Sequence, residues 1–315
     1  MAMSTTITST VSRLRRKRST TPKIREPFGD RVFLIVVMIM LAVLLALVLL
    51  PLIYIVASSF SSASAVSAGR VRLWPVEFSL QAYQSALTNS QVLQGYYNSL
   101  IYAIAGTMIS VTLTVAIAYP LSRSTFYGRN VLMTLLIFTM LFSGGLIPTY
   151  MVVQDLGMLN TRWALLIPNA IGVWQVIIAR TFFANSIPEE LYEAATLDGA
   201  SELRVLRSVV LPLSKPLLAV LALMYTIYQW NTYFDALVYL KDPDLYPLQI
   251  VLRNMLILNT TRPGATDLAQ QMHQIELANV LKYALIVVSS LPVLIIYPFV
   301  ARHFTKGVMV GAVKG

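Results

Sequence analysis

The chain reads as an all-α integral membrane protein with six transmembrane helices, and two observations lead there. Of its 315 residues, 57% are hydrophobic and only 12% charged, a balance too apolar for a soluble domain of that size. Six apolar runs, near 32–57, 98–122, 131–152, 163–184, 215–239 and 282–301, are each long enough to cross a bilayer as a helix of about 20 residues. A spanning segment must satisfy its own backbone hydrogen bonds, which makes each run a helix. The organisation that follows is a basic tail, 1–30, and a transmembrane domain, 31–315, with a polar loop at 185–214 and a C-terminal tail at 302–315.

The first run follows Arg13-Leu14-Arg15-Arg16-Lys17-Arg18 and precedes Ala63-Ser64-Ala65, a pattern reminiscent of a secretory signal and its cleavage site. At about 26 residues the run is far longer than a signal-peptide apolar region, so it reads as an uncleaved span. Pro51, Pro120, Pro148, Pro168 and Pro292 lie within runs, where neighbouring helices can satisfy the backbone groups that proline frees. The second run opens with Asn98-Ser99-Leu100, after a loop, 58–97, that carries Leu73-Trp74-Pro75, Phe78, Leu80 and Tyr83. That loop is expected to lie at the membrane interface, where Trp and Tyr concentrate. Two more loops, a short one at 153–162 and a long one at 240–281, are expected on the same, outer side.

Basic residues set the orientation. With the N-terminus inside, the inner segments hold 17 of the 24 Lys and Arg, an asymmetry that puts both termini and the 185–214 loop in the cytoplasm. Much of the net charge of +10 lies in the tail, where an arm beside anionic lipid explains it and a nucleic-acid partner does not. Cysteine is absent, which excludes a disulfide framework.

The 185–214 loop carries the most specific pattern. Ser186 and Glu189 have the spacing of a capping box, so a helix is expected to start there. Ile187, Leu191, Ala194 and Ala195 form an apolar stripe opposite Glu189, Glu190 and Glu193. Gly199 ends that helix with a turn that needs φ freedom. Leu203, Leu206, Val209, Val210 and Leu213 mark a second amphipathic helix, which Pro212 breaks before the next span. Glu193-Ala194-Ala195-x-x-Asp198-Gly199-Ala200, followed by Val209-x-Leu211-Pro212, resembles the coupling loop of inner-membrane permease subunits of ATP-binding-cassette importers. Val209 stands where that pattern usually has Ile. Asp198-Gly199-Ala200 and Leu211-Pro212-Leu213-Ser214-Lys215-Pro216 resemble the carbohydrate branch, as do Tyr228-Gln229-Trp230-Asn231-x-Tyr233-Phe234 and Leu245-Tyr246-Pro247-Leu248-Gln249.

The resemblance implies the type I importer permease fold, a prokaryotic inner-membrane location, and a role in moving a sugar, specifically an oligosaccharide. It also implies a second homologous permease, two ATPase subunits and an extracytoplasmic solute-binding protein as partners. ATP and Mg would be bound by the ATPase, and no cofactor or metal by this chain. The tail segment with Lys306, Gly307, Gly311 and Lys314 resembles the C-terminus of oligosaccharide permeases, which reaches the ATPase pair.

No catalytic constellation stands out. His273 and His303 are expected on opposite sides of the membrane. The Gly307–Gly315 segment fails as a phosphate loop because Ala312 stands where the second Gly belongs. An ion-coupled secondary transporter and a non-transporting scaffold are the alternatives, but Asp235 is the one acid within the six runs, near an outer end. The solute path is expected where aromatic rings and amides occur together: Gln229, Trp230, Asn231 and Tyr233 in the fifth span, with Trp174 and Gln175 in the fourth. Gln229 and Tyr233, four apart, would share one helical face. Packing of these rings and amides between helices is the competing reading.

Overall fold

A computed structural model describes residues 28–258 and 268–312, and among these every regular element is helical. In chain order the helices are α1 (Phe28–Ser59), α2 (Ala63–Ser67), α3 (Gln81–Thr88), α4 (Ser90–Ser122), α5 (Arg129–Leu141), α6 (Leu146–Asp155), α7 (Trp163–Leu166) and α8 (Val173–Ser186). They continue with α9 (Glu189–Leu197), α10 (Glu202–Val205), α11 (Leu211–Leu213), α12 (Lys215–Trp230), α13 (Phe234–Tyr239), α14 (Leu248–Leu258) and α15 (Leu268–Ala312). The basic tail lies outside the described residues, apart from its last three positions at the start of α1.

The chain divides into two units, one ending at Pro51 and one beginning at Leu52. In the first unit, α1 is apolar around its whole circumference and exposed along nearly its whole length. A helix of that kind takes lipid as its solvent.

The second unit is organised around α4. Asn89 caps it by accepting from the Gln91 and Val92 amides at 2.9 and 3.3 Å, which satisfies donors that the first helical turn leaves free. Its buried positions include Gly95, Ala103, Gly106, Ser110, Thr114 and Ala118. Such small residues let neighbouring backbones approach closely, as membrane helix interfaces require. α8 and α12 pack along this helix and are joined to it by polar contacts. Thr107 Oγ1 meets Thr226 Oγ1 at 3.0 Å and Thr114 Oγ1 meets the Tyr225 hydroxyl at 2.6 Å. The Gly172 amide also donates to that hydroxyl at 3.2 Å.

Three of the six expected runs are continuous helices long and apolar enough to span: α1, α4 and the Glu276–Pro298 stretch of α15. The other three are broken. Run 131–152 becomes α5 and α6, bent by 113° at Ser143-Gly144-Gly145, where Gly145 has φ +86°, a conformation that glycine reaches without strain. Run 163–184 breaks between α7 and α8 around Pro168, which lacks the amide that a helix interior needs. Run 215–239 opens with an 83° bend from the preceding segment and stops at Trp230. There Asn231 Nδ2 donates to the Ile227 carbonyl at 2.8 Å and Thr232 Oγ1 to that of Tyr228 at 3.3 Å. Side chains that bond back to the preceding turn compete with continuation of the helix. The expected tail at 302–315 also differs, since α15 runs on to Ala312.

On the other side of α4, Asn98-Ser99 acts as a staple. Asn98 Nδ2 donates to the carbonyls of Asp244 and Tyr246 at 2.7 and 3.1 Å. Ser99 Oγ accepts from the Leu248 amide at 2.9 Å, and the Tyr102 hydroxyl donates to the Leu245 carbonyl at 2.8 Å. Three inward positions of α4, Asn98, Ser99 and Tyr102, therefore supply hydrogen-bond partners to the backbone of the 244–248 turn.

Candidate coupling loop and solute cleft

The loop between α8 and α12 folds as the glycine turn requires but starts differently from the capping-box expectation. Ser186 is the last residue of α8, and α9 begins at Glu189 after Pro188 without a side-chain cap. The residue before a proline is pushed into the extended region, and Ile187 takes φ −112°, ψ 111°. That removes Ser186 from capping range. Glu189 instead accepts from Arg123 Nη1 and Ser124 Oγ, both at 3.3 Å.

At the other end of α9, Gly199 has φ +70°. Its amide donates to the Thr196 carbonyl and the Ala200 amide to that of Ala195, both at 3.0 Å. This pair of bonds is the Schellman closure, whose turning residue is left-handed. A Cβ at Gly199 would meet nothing within 4 Å. The glycine therefore serves backbone conformation and leaves open space outside the loop.

The apolar stripe divides in two. Ile187 and Tyr192 are buried in a cluster with Tyr119, Phe183, Val205, Val210 and Leu217, and Ala195 and Ala200 pack against it. Leu191 and Ala194, expected on the same face as Ile187, are exposed, and so is Leu197 at 89%. With Glu190 and Glu193 they make an outward surface of mixed apolar and acidic character. The Tyr192 phenol is buried, which raises its pKa, and the Arg123 guanidinium 3.5 Å above its ring works in the opposite direction.

The second helix also differs from a simple amphipathic one. After α10 the chain makes a π-helical stretch, Leu206–Val210, in which the Leu211 amide reaches back to the Leu206 carbonyl. The extra residue puts Val205 and Val210, five apart, on the buried side. Leu203 and Leu213 face outward and Pro212 stands in α11, just before the bend into α12. Asp198 is exposed, at the C-terminus of α9.

At the far end of α12, Trp230, Asn231, Tyr233, Gln249, Arg253 and Ser289 are among the lining of a cleft of about 600 Å³. Trp230 reaches it from a packed position: its Nε1 donates to the Ser289 carbonyl at 2.9 Å and its ring meets Tyr96 edge-on. Gln229 does not line it. Because α12 ends at Trp230, Gln229 and Tyr233 do not share a helical face. Gln229 is 1% exposed against Gly106, while Tyr233 is 36% exposed in the break. Trp174 and Gln175 stand in the first turn of α8, away from this cleft, with Trp174 58% exposed.

The break also gathers three residues that composition alone did not single out as a group. Asp235 Oδ2 accepts from Asn169 Nδ2 at 2.9 Å and from the Tyr228 hydroxyl at 3.3 Å. Both partners are exposed. The signal for the group is its position beside two helix breaks, at Pro168 and Asn231. The backbone of Lys306, Gly307 and Gly311 is part of α15, and Lys314 lies outside the described residues. His273 and His303 fall outside the described side chains.

Residues 92–310 match the family described as binding-protein-dependent transport system inner membrane component. The chain belongs to that family. It is 40% identical over 287 residues to Protein LplC of Bacillus subtilis strain 168, covering 91% of this chain and 96% of that one. It is 38% identical to the polygalacturonan/rhamnogalacturonan transport system permease protein YtcP of the same strain, covering 91% and 99%. Among solved structures it resembles a bacterial ABC transporter involved in import of the acidic polysaccharide alginate, with a TM-score of 0.81, 34% identity and 89% and 99% coverage. The fold is thus that of a type I importer permease. The chain is a multi-pass membrane transport component, not an enzyme, and an ATPase and a solute-binding protein are the partners that membership implies.

Proposed function

We propose that this permease imports an oligosaccharide across the prokaryotic inner membrane, with both termini in the cytoplasm. In this reading it pairs with a second homologous permease, two ATPase subunits that bind ATP and Mg, and an extracytoplasmic solute-binding protein. The observation that carries the coupling assignment is the α9–Gly199–α10 surface. Its backbone is fixed from within by the Schellman closure, and Leu191, Ala194 and Leu197 are presented outward with open space at Gly199. Glu193, Asp198, Leu211 and Pro212 complete the same loop. An exposed apolar face framed by acids is what a cytoplasmic partner would cover.

The solute path in this reading runs by Trp230, Asn231, Tyr233 and the Asn169–Tyr228–Asp235 group, with Trp174 and Gln175 on the neighbouring helix. Carboxylate and amide groups accept and donate to sugar hydroxyls, and rings stack on sugar faces. Gln229 is withdrawn from the path because the packing against Gly106 encloses it. ATP favours one of two conformations through differential affinity, and the loop passes that bias to the membrane helices.

The test is uptake by proteoliposomes that contain the permease pair, its ATPase and its binding protein. Neutral and uronate-bearing oligosaccharides serve as probes, given the substrates for which the relatives are named. ATP-dependent accumulation of an oligosaccharide supports the reading. Accumulation that needs an ion gradient and no ATP overturns it.

A further inference from the structure

Two attachments tie the proposed coupling loop to the membrane helices, and both land at the C-terminal end of α4, one in its last turn and one on the two residues that follow it. The first joins the start of α10: the Tyr119 hydroxyl donates to Glu202 Oε2 at 2.6 Å. The second joins the start of α9. Arg123 lies 3.5 Å over the Tyr192 ring and donates to Glu189, which also accepts from Ser124 Oγ. Tyr119 and Tyr192 are almost fully buried in the same cluster. The Arg123 side chain is only 11% exposed. The Tyr119 and Tyr192 rings are therefore packed contacts, whereas the Arg123–Glu189 ion pair has a half-exposed carboxylate and by itself constrains little.

The surroundings make this end of α4 a point of transmission. Residues 196–199 and 201, between the two attachments, are exposed. α8 is tied to the same end, because Arg180 Nε donates to the Leu121 carbonyl at 3.4 Å. α12 follows the loop only after the 83° bend at Ser214, and a bend transmits a push poorly along the helix axis. α4 is one continuous helix from Ser90 to Ser122, with Pro120 in the turn that takes the contact, and α8 and α12 pack along it. We propose that the cytoplasmic end of α4 with the two residues after it, Tyr119 to Ser124, is where movement of the docked loop enters the membrane helices. Tyr119 and Arg123 are then positioning residues that hold Glu202, Tyr192 and Glu189. This inference rests on the reading of 185–214 as the ATPase-docking loop.

The experiment measures ATP hydrolysed per solute imported in reconstituted complexes that contain the ATPase and the binding protein. Tyr119→Phe and Glu202→Ala each remove the short hydrogen bond. Each is expected to raise that ratio by about fivefold or more, the equilibrium consequence of losing one hydrogen bond of ordinary strength. Glu202→Gln keeps an acceptor oxygen and is expected to retain the ratio of the unaltered chain. The Tyr119→Phe/Glu202→Ala pair should be no worse than either single change, since both remove one interaction.

Glu202 is exposed, so Glu202→Ala tests the idea even where Tyr119→Phe lowers yield. Unchanged ratios in both single variants would overturn the proposal, as would Glu202→Gln behaving like Glu202→Ala. Leu197→Asp, on the outward surface, separates this failure from that of the docking reading. If Leu197→Asp leaves ATPase binding intact, the docking reading falls. If it abolishes binding while the Tyr119 and Glu202 variants stay coupled, only the α4 attachment falls. A bismaleimide bridge between Ser124→Cys and Glu189→Cys, in a chain without native cysteine, supplies a second measurement; the 3.3 Å contact is made by the far end of the glutamate side chain, a separation better suited to a linker than to a disulfide. Import should continue with the crosslink formed, because the two groups move together, and arrest of import overturns the proposal.

Discussion

Replacing Gly106 by alanine tests the α4–α12 seam directly. A Cβ at Gly106 would lie 2.5, 2.6 and 2.7 Å from Nε2, Cδ and Cγ of Gln229. Ordinary contacts begin near 3.4 Å, so Gln229 or one of the helices must move by almost an ångström. Gln229 is 1% exposed, so any shift of its side chain is made inside the packed seam, and among the described residues neither of its amide atoms has a hydrogen-bond partner. Overpacking of this kind destabilises by about 1–3 kcal/mol. Gln229→Ala removes the obstacle and two unsatisfied polar atoms, whose burial costs about 1–3 kcal/mol, and leaves a void of comparable penalty. Gln229→Ala alone should therefore be close to neutral, and Gly106→Ala harmful. The double variant should behave like Gln229→Ala, giving a coupling energy of about 1–3 kcal/mol in the cycle. The assay is the thermal midpoint of the purified complex, read alongside the fraction that remains monodisperse. Additive effects in the double variant would refute the packing argument and reopen a path role for Gln229.

Gly199→Val should impair coupling more than Gly199→Asn, because left-handed backbone costs a β-branched residue more than the roughly 1–2 kcal/mol typical of L-residues, while asparagine tolerates it. Equal import and ATPase stimulation in the Val complex and the unaltered one would show that the turn is not critical. A cysteine at Ser201 should react with an impermeant thiol reagent only from the cytoplasmic side, and one at Ser64 only from outside; labelling of either from the other side would overturn the orientation. Asn98→Ala should strip the Asp244 and Tyr246 carbonyls of a donor and speed external proteolysis of the 240–248 turn, an effect visible on a protease time course. Tyr233→Ala should raise the half-saturation concentration for import without lowering assembly, and normal import per assembled complex would remove Tyr233 from the path.

The positive φ of Gly199 could be read from the chain because a glycine after a short amphipathic stretch has one common structural use. The six apolar runs were equally readable, but their interruptions were not. Hydropathy sums over a window, and Asn231-Thr232 changes that sum little while its side chains capture the carbonyls of the preceding turn. The place of Gln229 depends on Gly106, which is distant in sequence and adjacent in space, so no local pattern reports it. Asn98-Ser99-Leu100 stood out as the opening of the second run, yet its role was invisible because its partners are backbone groups of the 244–248 turn. In the coupling loop the capping-box spacing misled because Pro188 sits inside it. Proline at that position ends one helix and prepares the next without any side-chain cap.

The staple at Asn98-Ser99 and the attachments at Tyr119 and Arg123 sit near opposite ends of one uninterrupted helix. Their relative phase is set by the number of residues between them. One residue more or fewer would swing one end by about 100° relative to the other and displace it by about 1.5 Å. No adjustment of side chains could restore both sets of contacts. The length of α4 is thus a gauge as much as a span: substitutions can be absorbed between its anchors, whereas single insertions and deletions cannot.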